Sequence, residues 1–198
     1  KLTADQVELL DSQFYLKKYP DVKVPFSGVC NACLWTGKQM AAFEWFKPQD
    51  LIQDHETGQG KAFPTFAYGC IVAEVEVDMK TGYVDVLEVT ASHDVGTAIN
   101  PALVKGQIYG GIVMGQGFAV TEDVVTGKRG QKTKNFDSYI LPTSMDAPKM
   151  NINIYENQDP AGTYGAKSIG EPATEGVGAA IANAIFNATG RRVYENTV

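Results

Sequence analysis

From Ile71 onward, apolar and acidic side chains alternate through AYGCIVAEVEVD (67–78), the period that turns every second residue of a strand toward a buried face. Met79 to Gly82 reads as a turn, and Val84, Val86 and Val89 carry the pattern into YVDVLEVTASHD, so a hairpin is predicted. Asn100 and Pro101 then match a capping residue followed by proline at the first helical position, opening a helix through PALVKGQIYGGIVMGQGFAVTED. Gly106, Gly110, Gly111, Gly115 and Gly117 sit inside it. Each costs about 1 kcal/mol against alanine, so something must approach this helix closely. A second hairpin is predicted from Glu122 to Tyr139 across Thr126-Gly127-Lys128, and a strand from Lys149 to Glu156, where Met150, Ile152 and Ile154 alternate. Val177, Ala180, Ile181, Ala184, Ile185 and Ala188 recur at helical spacing, which predicts a helix from about Thr174 to a stop at Gly190.

The earlier part of the chain is less regular. Residues 1–26 hold Tyr15, Tyr19, Pro20 and Pro25 without a sustained period and predict a short surface strand or two. Ser27 has the character of a helix cap, and Val29, Cys33 and Leu34 suggest a short helix ending near Gly37. From Lys47 to Pro64, the punctuation by Pro48, Gly58, Gly60 and Pro64 predicts a loop joining layers. The predicted class is α+β, with antiparallel hairpins packed against Gly-rich and Ala-rich helices.

Composition narrows the function. With 198 residues, 44% of them hydrophobic and 20% charged, the chain can bury one or two cores. A net charge of -6 leaves no basic stripe for phosphates, which argues against nucleic acid as a partner. No apolar run approaches the ~18 residues of a membrane span, and the opening KLTADQVELLDSQ lacks the order of a secretory signal. Three cysteines exclude a full disulfide framework and fit a reducing, cytoplasmic setting.

Four stretches, in order, carry the candidate chemistry: Tyr68-Gly-Cys with Glu74-Val-Glu-Val-Asp78, His93-Asp-Val-Gly96 with Asn100-Pro101, Gly106-Gln-Ile-Tyr-Gly-Gly111, and Lys167-Ser-Ile-Gly-Glu-Pro172. Together they resemble the C-terminal part of the molybdopterin-binding catalytic subunit of the xanthine dehydrogenase and aldehyde oxidase family, most clearly over residues 43–193. The resemblance implies that the whole chain, 1–198, is a portion of a molybdopterin-binding domain. It implies a molybdenum hydroxylase that uses water to hydroxylate an electron-poor carbon of an N-heterocycle, purine or nicotinate-like, or of an aldehyde. Glu171 falls on the carboxylate that acts as base on the metal-held hydroxyl. A base in that role must lie within hydrogen-bond reach of its proton.

By the same resemblance the Lys167, Ser168, Ile169 and Gly170 backbone lines the cofactor, Gln107 hydrogen-bonds the pterin or a ligand near the metal, and Asn100 begins a second cofactor-facing turn. The Gly-rich helix would pack against the cofactor, and amides ahead of the Thr174 helix could bind anionic oxygens. The cofactor implied is molybdopterin, as such or in its dinucleotide form, with no metal-ligating side chain from this chain. Iron–sulfur clusters and FAD would lie on other chains or domains, since no four-cysteine motif or flavin signature is present. The implied partners are those subunits and a small-molecule substrate, in a hetero-oligomer whose isolated piece is inactive.

Plainer readings stand beside these. Cys30 and Cys33 form a CxxC that cannot complete a four-ligand zinc site with Cys70 alone, and core packing is expected of them. His93 and Asp94 are assigned turn-forming roles, His55 an exposed loop position, and Glu74, Glu76 and Asp78 a solvated strand face. Core or interface packing is expected for Phe43, Trp45 and Phe46. The competing function is a non-catalytic domain that serves assembly and binds no cofactor by itself.

Overall fold

The computed structural model describes residues 2–47 and 51–194; Pro48, the first break of the predicted loop, lies outside the described residues. The chain divides into two compact units, Lys1–Lys47 and Pro48–Val198.

In the first unit, β1 (Val7–Leu10), β2 (Gln13–Leu16) and β3 (Tyr19–Pro25) form an antiparallel meander, one strand richer than predicted. Asp11 and Ser12 make the first turn with φ of 47° and 59°, a conformation that Asp tolerates better than most residues. α1 (Phe26–Trp35) follows directly. Its N-cap is Pro25, without a side-chain cap bond, so Ser27 lies inside the first turn and does not cap it. Gly37 adopts φ 65° just past its end, as its position predicted. α1 buries no residue fully, and Cys30 and Cys33 are half-buried thiols, so the expected core packing is only partial. Phe43, Trp45 and Phe46 are exposed, which removes the core alternative for that aromatic group.

The second unit opens with a two-residue hairpin, β4 (Ile52–Gln53) and β5 (Gly60–Lys61), inside the predicted loop, where His55 is exposed. Its main sheet is β6 (Gly69–Val77), β7 (Val84–Asp94) and β10 (Lys149–Tyr155), in the order β10-β7-β6. The β6–β7 hairpin is antiparallel as predicted, whereas β10 runs parallel to β7. Val86 and Val89 are three apart and would face opposite sides of a regular strand. A bulge opposite Glu74/Val75 absorbs the extra residue, so Val84, Val86, Val89 and Ala91 all point inward. Glu74, Glu76 and Asp78 are exposed as expected.

Helices cover the inward face of this sheet. α2 (Pro101–Val120) is capped by Asn100, whose Oδ1 accepts the Leu103 amide at 3.1 Å. The last helix is split: α3 (Pro172–Glu175) gives way at Gly176 to α4 (Val177–Thr189), which Gly190 ends with φ 72°. Val177, Ile181 and Ile185, one helical turn apart, are buried with Ile108 and Ile112 of α2 and with the β7 valines in a single core. The second predicted hairpin shrinks to β8 (Thr126–Gly127) and β9 (Gly130–Gln131), with Lys128 and Arg129 between them. The rest of 122–139 has too little alternation to hold a ladder.

The inward row of β7 continues to His93, which is 2% exposed and has neither ring nitrogen hydrogen-bonded among the described residues. It is thus a buried strand residue and not a turn former. Burial pushes its pKa below the usual 6.5 and keeps the ring neutral. The unfolded chain then binds a proton that the folded one refuses. Stability is therefore full above about pH 6.5 and declines as pH falls below it. The thermal midpoint should drop between pH 7.5 and 5.5, and by less in His93→Met; equal drops would absolve His93.

Candidate functional site

Residues 106, 107, 110, 111, 114, 115 and 118 recur at steps of three and four and so share one face of α2. Across from them run Gly170, Glu171, Thr174, Glu175, Gly178 and Ala179, and the two rows enclose a cleft of about 820 Å3. Gln107, Gly170 and Glu171, three of the residues singled out in the sequence, are thus brought to one site.

The helix glycines divide into three kinds, the third being Gly117, where a methyl group would meet the Glu122 carboxylate and Pro142 Cδ. A methyl group on Gly111 would lie 2.6 Å from Ala173 Cβ, and one on Gly115 2.5 Å from Val177 Cβ. The close approach demanded by these two glycines comes from α3 and α4, although both also border the cleft. Gly106 and Gly110 have nothing within 4 Å and form open wall. Met114 and Phe118, exposed on the same stripe, were missed in the sequence; counting in helical steps from Gln107 reaches both.

Glu171 stands at the N-cap of α3 with φ −59° and ψ −42°, and Pro172 follows at the first helical position. Its side chain is exposed and makes no hydrogen bond or ion pair with the described residues. The Gln107 side chain is likewise unengaged among them. The amides of Ala173 and Thr174 donate to Gly170 O and Glu171 O at 3.4 and 2.9 Å, so of the amides ahead of the predicted helix, that of Ala173 is occupied. The free amides are those of Ser168, Ile169, Gly170 and Glu171, which donate to no acceptor among the described residues.

The rest of the segment is anchored elsewhere. The Ile169 side chain packs against the core. Lys167 Nζ lies 2.6 Å from Asp94 Oδ2, with the two side chains only 5% and 12% exposed, and 5.5 Å from the Tyr68 ring centre. Burial pushes Asp94 up, but the Lys167 bond and the Gly96 amide, which donates to Oδ1 at 3.0 Å, outweigh it and hold the carboxyl below its usual pKa. That amide bond is the turn-forming role expected of Asp94. Of the Lys167–Gly170 stretch, only Gly170 lines the cleft. Ser168 is exposed, and Asn100 is occupied as a cap outside the cleft lining.

Comparison with known proteins follows the same outline. The molybdopterin cofactor-binding domain family matches residues 1–148. A putative xanthine dehydrogenase molybdenum-binding subunit of Escherichia coli (strain K12) is 37% identical over 126 residues, 63% of this chain and 17% of the relative. The aldehyde oxidoreductase of Megalodesulfovibrio gigas is 37% identical over 141 residues, 71% of this chain and 15% of the relative. Among solved structures, quinoline 2-oxidoreductase from Pseudomonas putida 86 superposes with a TM-score of 0.66 at 25% identity, covering 95% of this chain and 23% of that one. The chain thus spans about one sixth of the length of these curated relatives. Among the described residues, no helix is long and apolar enough to cross a membrane.

Proposed function

This chain belongs to the molybdopterin cofactor-binding domain family, and on that premise we propose that its cleft is one wall of a molybdenum hydroxylase site in which Glu171 accepts the proton. The observation that carries the proposal is that an unpaired, exposed carboxylate and the unengaged Gln107 amide line the same cleft. The chain's residues fit the group. Gly106 and Gly110 leave room where side chains would intrude, and four free amides at Ser168–Glu171 face no competing acceptor among the described residues.

When bound, the molybdenum cofactor supplies the oxygen to be transferred and receives the electrons. Within that reaction a Glu171 carboxylate oxygen takes up the hydroxyl proton, the step for which a base must be within hydrogen-bond reach. Gln107 donates or accepts a hydrogen bond that fixes the pterin's orientation, and Met114 and Phe118 exclude water from the cleft. The substrate is an N-heterocycle or an aldehyde, whose contacts come mostly from residues outside this chain. Iron–sulfur and flavin groups on other chains or domains carry the electrons away.

The test is molybdenum and pterin content of the enzyme purified with its natural partners. About one molybdenum per site is expected, falling several-fold in Gln107→Leu. A wild-type enzyme without molybdenum would end the proposal, and full occupancy in the variant would remove Gln107 from it.

A further inference from the structure

Both walls of the cleft start from one buried knot. β7 ends at Asp94, and the chain reaches the Asn100 cap of α2 six residues later; Lys167 precedes Glu171 by four. Between these two departures, Gly96 bridges Ala166, the Thr97 amide donates to Gly165 O at 2.8 Å, and the Lys167 amide donates to Val95 O at 2.9 Å. A side chain at Gly96 would meet Gly165 O at 2.2 Å, so the two strands of chain touch backbone to backbone. On the far side, the Asp159 amide also donates to Gly165 O, at 3.1 Å, and the Asp159 carboxylate is engaged by Thr65 Oγ1 and the Ala161 amide.

Beyond Lys167 this support stops. No backbone amide from Ser168 to Glu171 is bonded among the described residues, and the next backbone bonds are those that open α3, from Ala173 to Gly170 O at 3.4 Å and from Thr174 and Glu175 to Glu171 O at 2.9 and 3.2 Å. Besides the Ile169 side chain in the core, the Lys167–Asp94 pair is the last polar tie before the segment that ends on Glu171. We propose that Lys167 and Asp94 are positioning residues, whose buried ion pair holds the Ser168–Glu171 backbone in register with the start of α2 and so aims the Glu171 carboxylate into the cleft. Lys167 thus acts through its neighbours and does not place its own charge on the cofactor. The catalytic meaning of this device rests on the reading of Glu171 as the proton acceptor.

Removing one partner alone would strand a buried charge and threaten folding. The holoenzyme double variant Asp94→Asn, Lys167→Met removes both charges while keeping similar volumes. Hydrogen exchange should quicken at least about ten-fold at the Thr97 and Lys167 amides, which are bonded across the knot to Gly165 O and Val95 O, and stay unchanged across α4. With the carboxylate misplaced, kcat should fall roughly 10- to 100-fold while KM holds within about two-fold. Unchanged exchange at Thr97 and Lys167 overturns the proposal, and so does acceleration spread equally over α4, which would mark the pair as general support. The exchange readout needs no turnover. If Glu171→Gln proved fully active, the proton-acceptor reading would fall while the anchoring of the loop was still decided.

Discussion

Changing Glu171 to Gln is expected to lower kcat by roughly two to four orders of magnitude, the usual contribution of a positioned general base. Gln keeps the length and the hydrogen-bonding capacity of the side chain but cannot take a proton. Because the Glu171 side chain is exposed and bonded to no described residue, its replacement orphans no buried partner, and the thermal midpoint should be unaltered. Molybdenum content should also remain at the wild-type level, since the amides of 168–171 and Gln107 are left in place. The expected signature is therefore a loaded, folded and nearly dead enzyme. Turnover within a few-fold of wild type would exclude Glu171 as the proton acceptor.

The second large effect is expected at Gly111. An alanine there gains about 1 kcal/mol in helix propensity, yet its methyl would sit 2.6 Å from Ala173 Cβ and 2.8 Å from the Ala173 carbonyl carbon and oxygen. The obstacle is backbone, which cannot rotate away, and overpacking of this kind costs about 1–3 kcal/mol. The clash should win, so Gly111→Ala should be destabilised by roughly 1–2 kcal/mol in denaturant titration. It should also lower kcat, because α3 is forced away and Glu171 stands at its head. Gly110→Ala is the matching control. With nothing within 4 Å of its methyl, it should gain up to about 1 kcal/mol of stability. That same methyl projects toward the cleft and should reduce molybdenum loading. A Gly111→Ala protein as stable as Gly110→Ala would contradict the described packing of α2 on α3.

Much of this was legible along the chain. The alternation through Ile71–Val77 and Val84–Val89 predicted β6 and β7, the Asn100-Pro101 pair predicted the start of α2, and Gly190 its αL stop for α4. Those signals are local: a strand period, a cap and a left-handed glycine each act over a few residues, so the sequence displays them directly. The bulge after Val86 was hidden because a step of three violates the period, and only the partner strand shows how it is absorbed. The 122–139 hairpin is shorter than predicted, since the Thr-Gly-Lys turn carries only the pairs Thr126–Gln131 and Gly127–Gly130.

At the site, the sequence by itself offered, through its resemblance, the candidate residues: a Gly-Glu-Pro carboxylate, Gln107 behind Gly106, and Asn100, whose cap it also predicted. It could not tell that Gly111 and Gly115 yield space to Ala173 and Val177 while Gly106 and Gly110 yield it to the cleft. Nor could it pair Asp94 with Lys167, 73 residues away. Those facts depend on side chains meeting across large separations, and the closing of such long loops is decided by the burial of the common core, not by any local propensity.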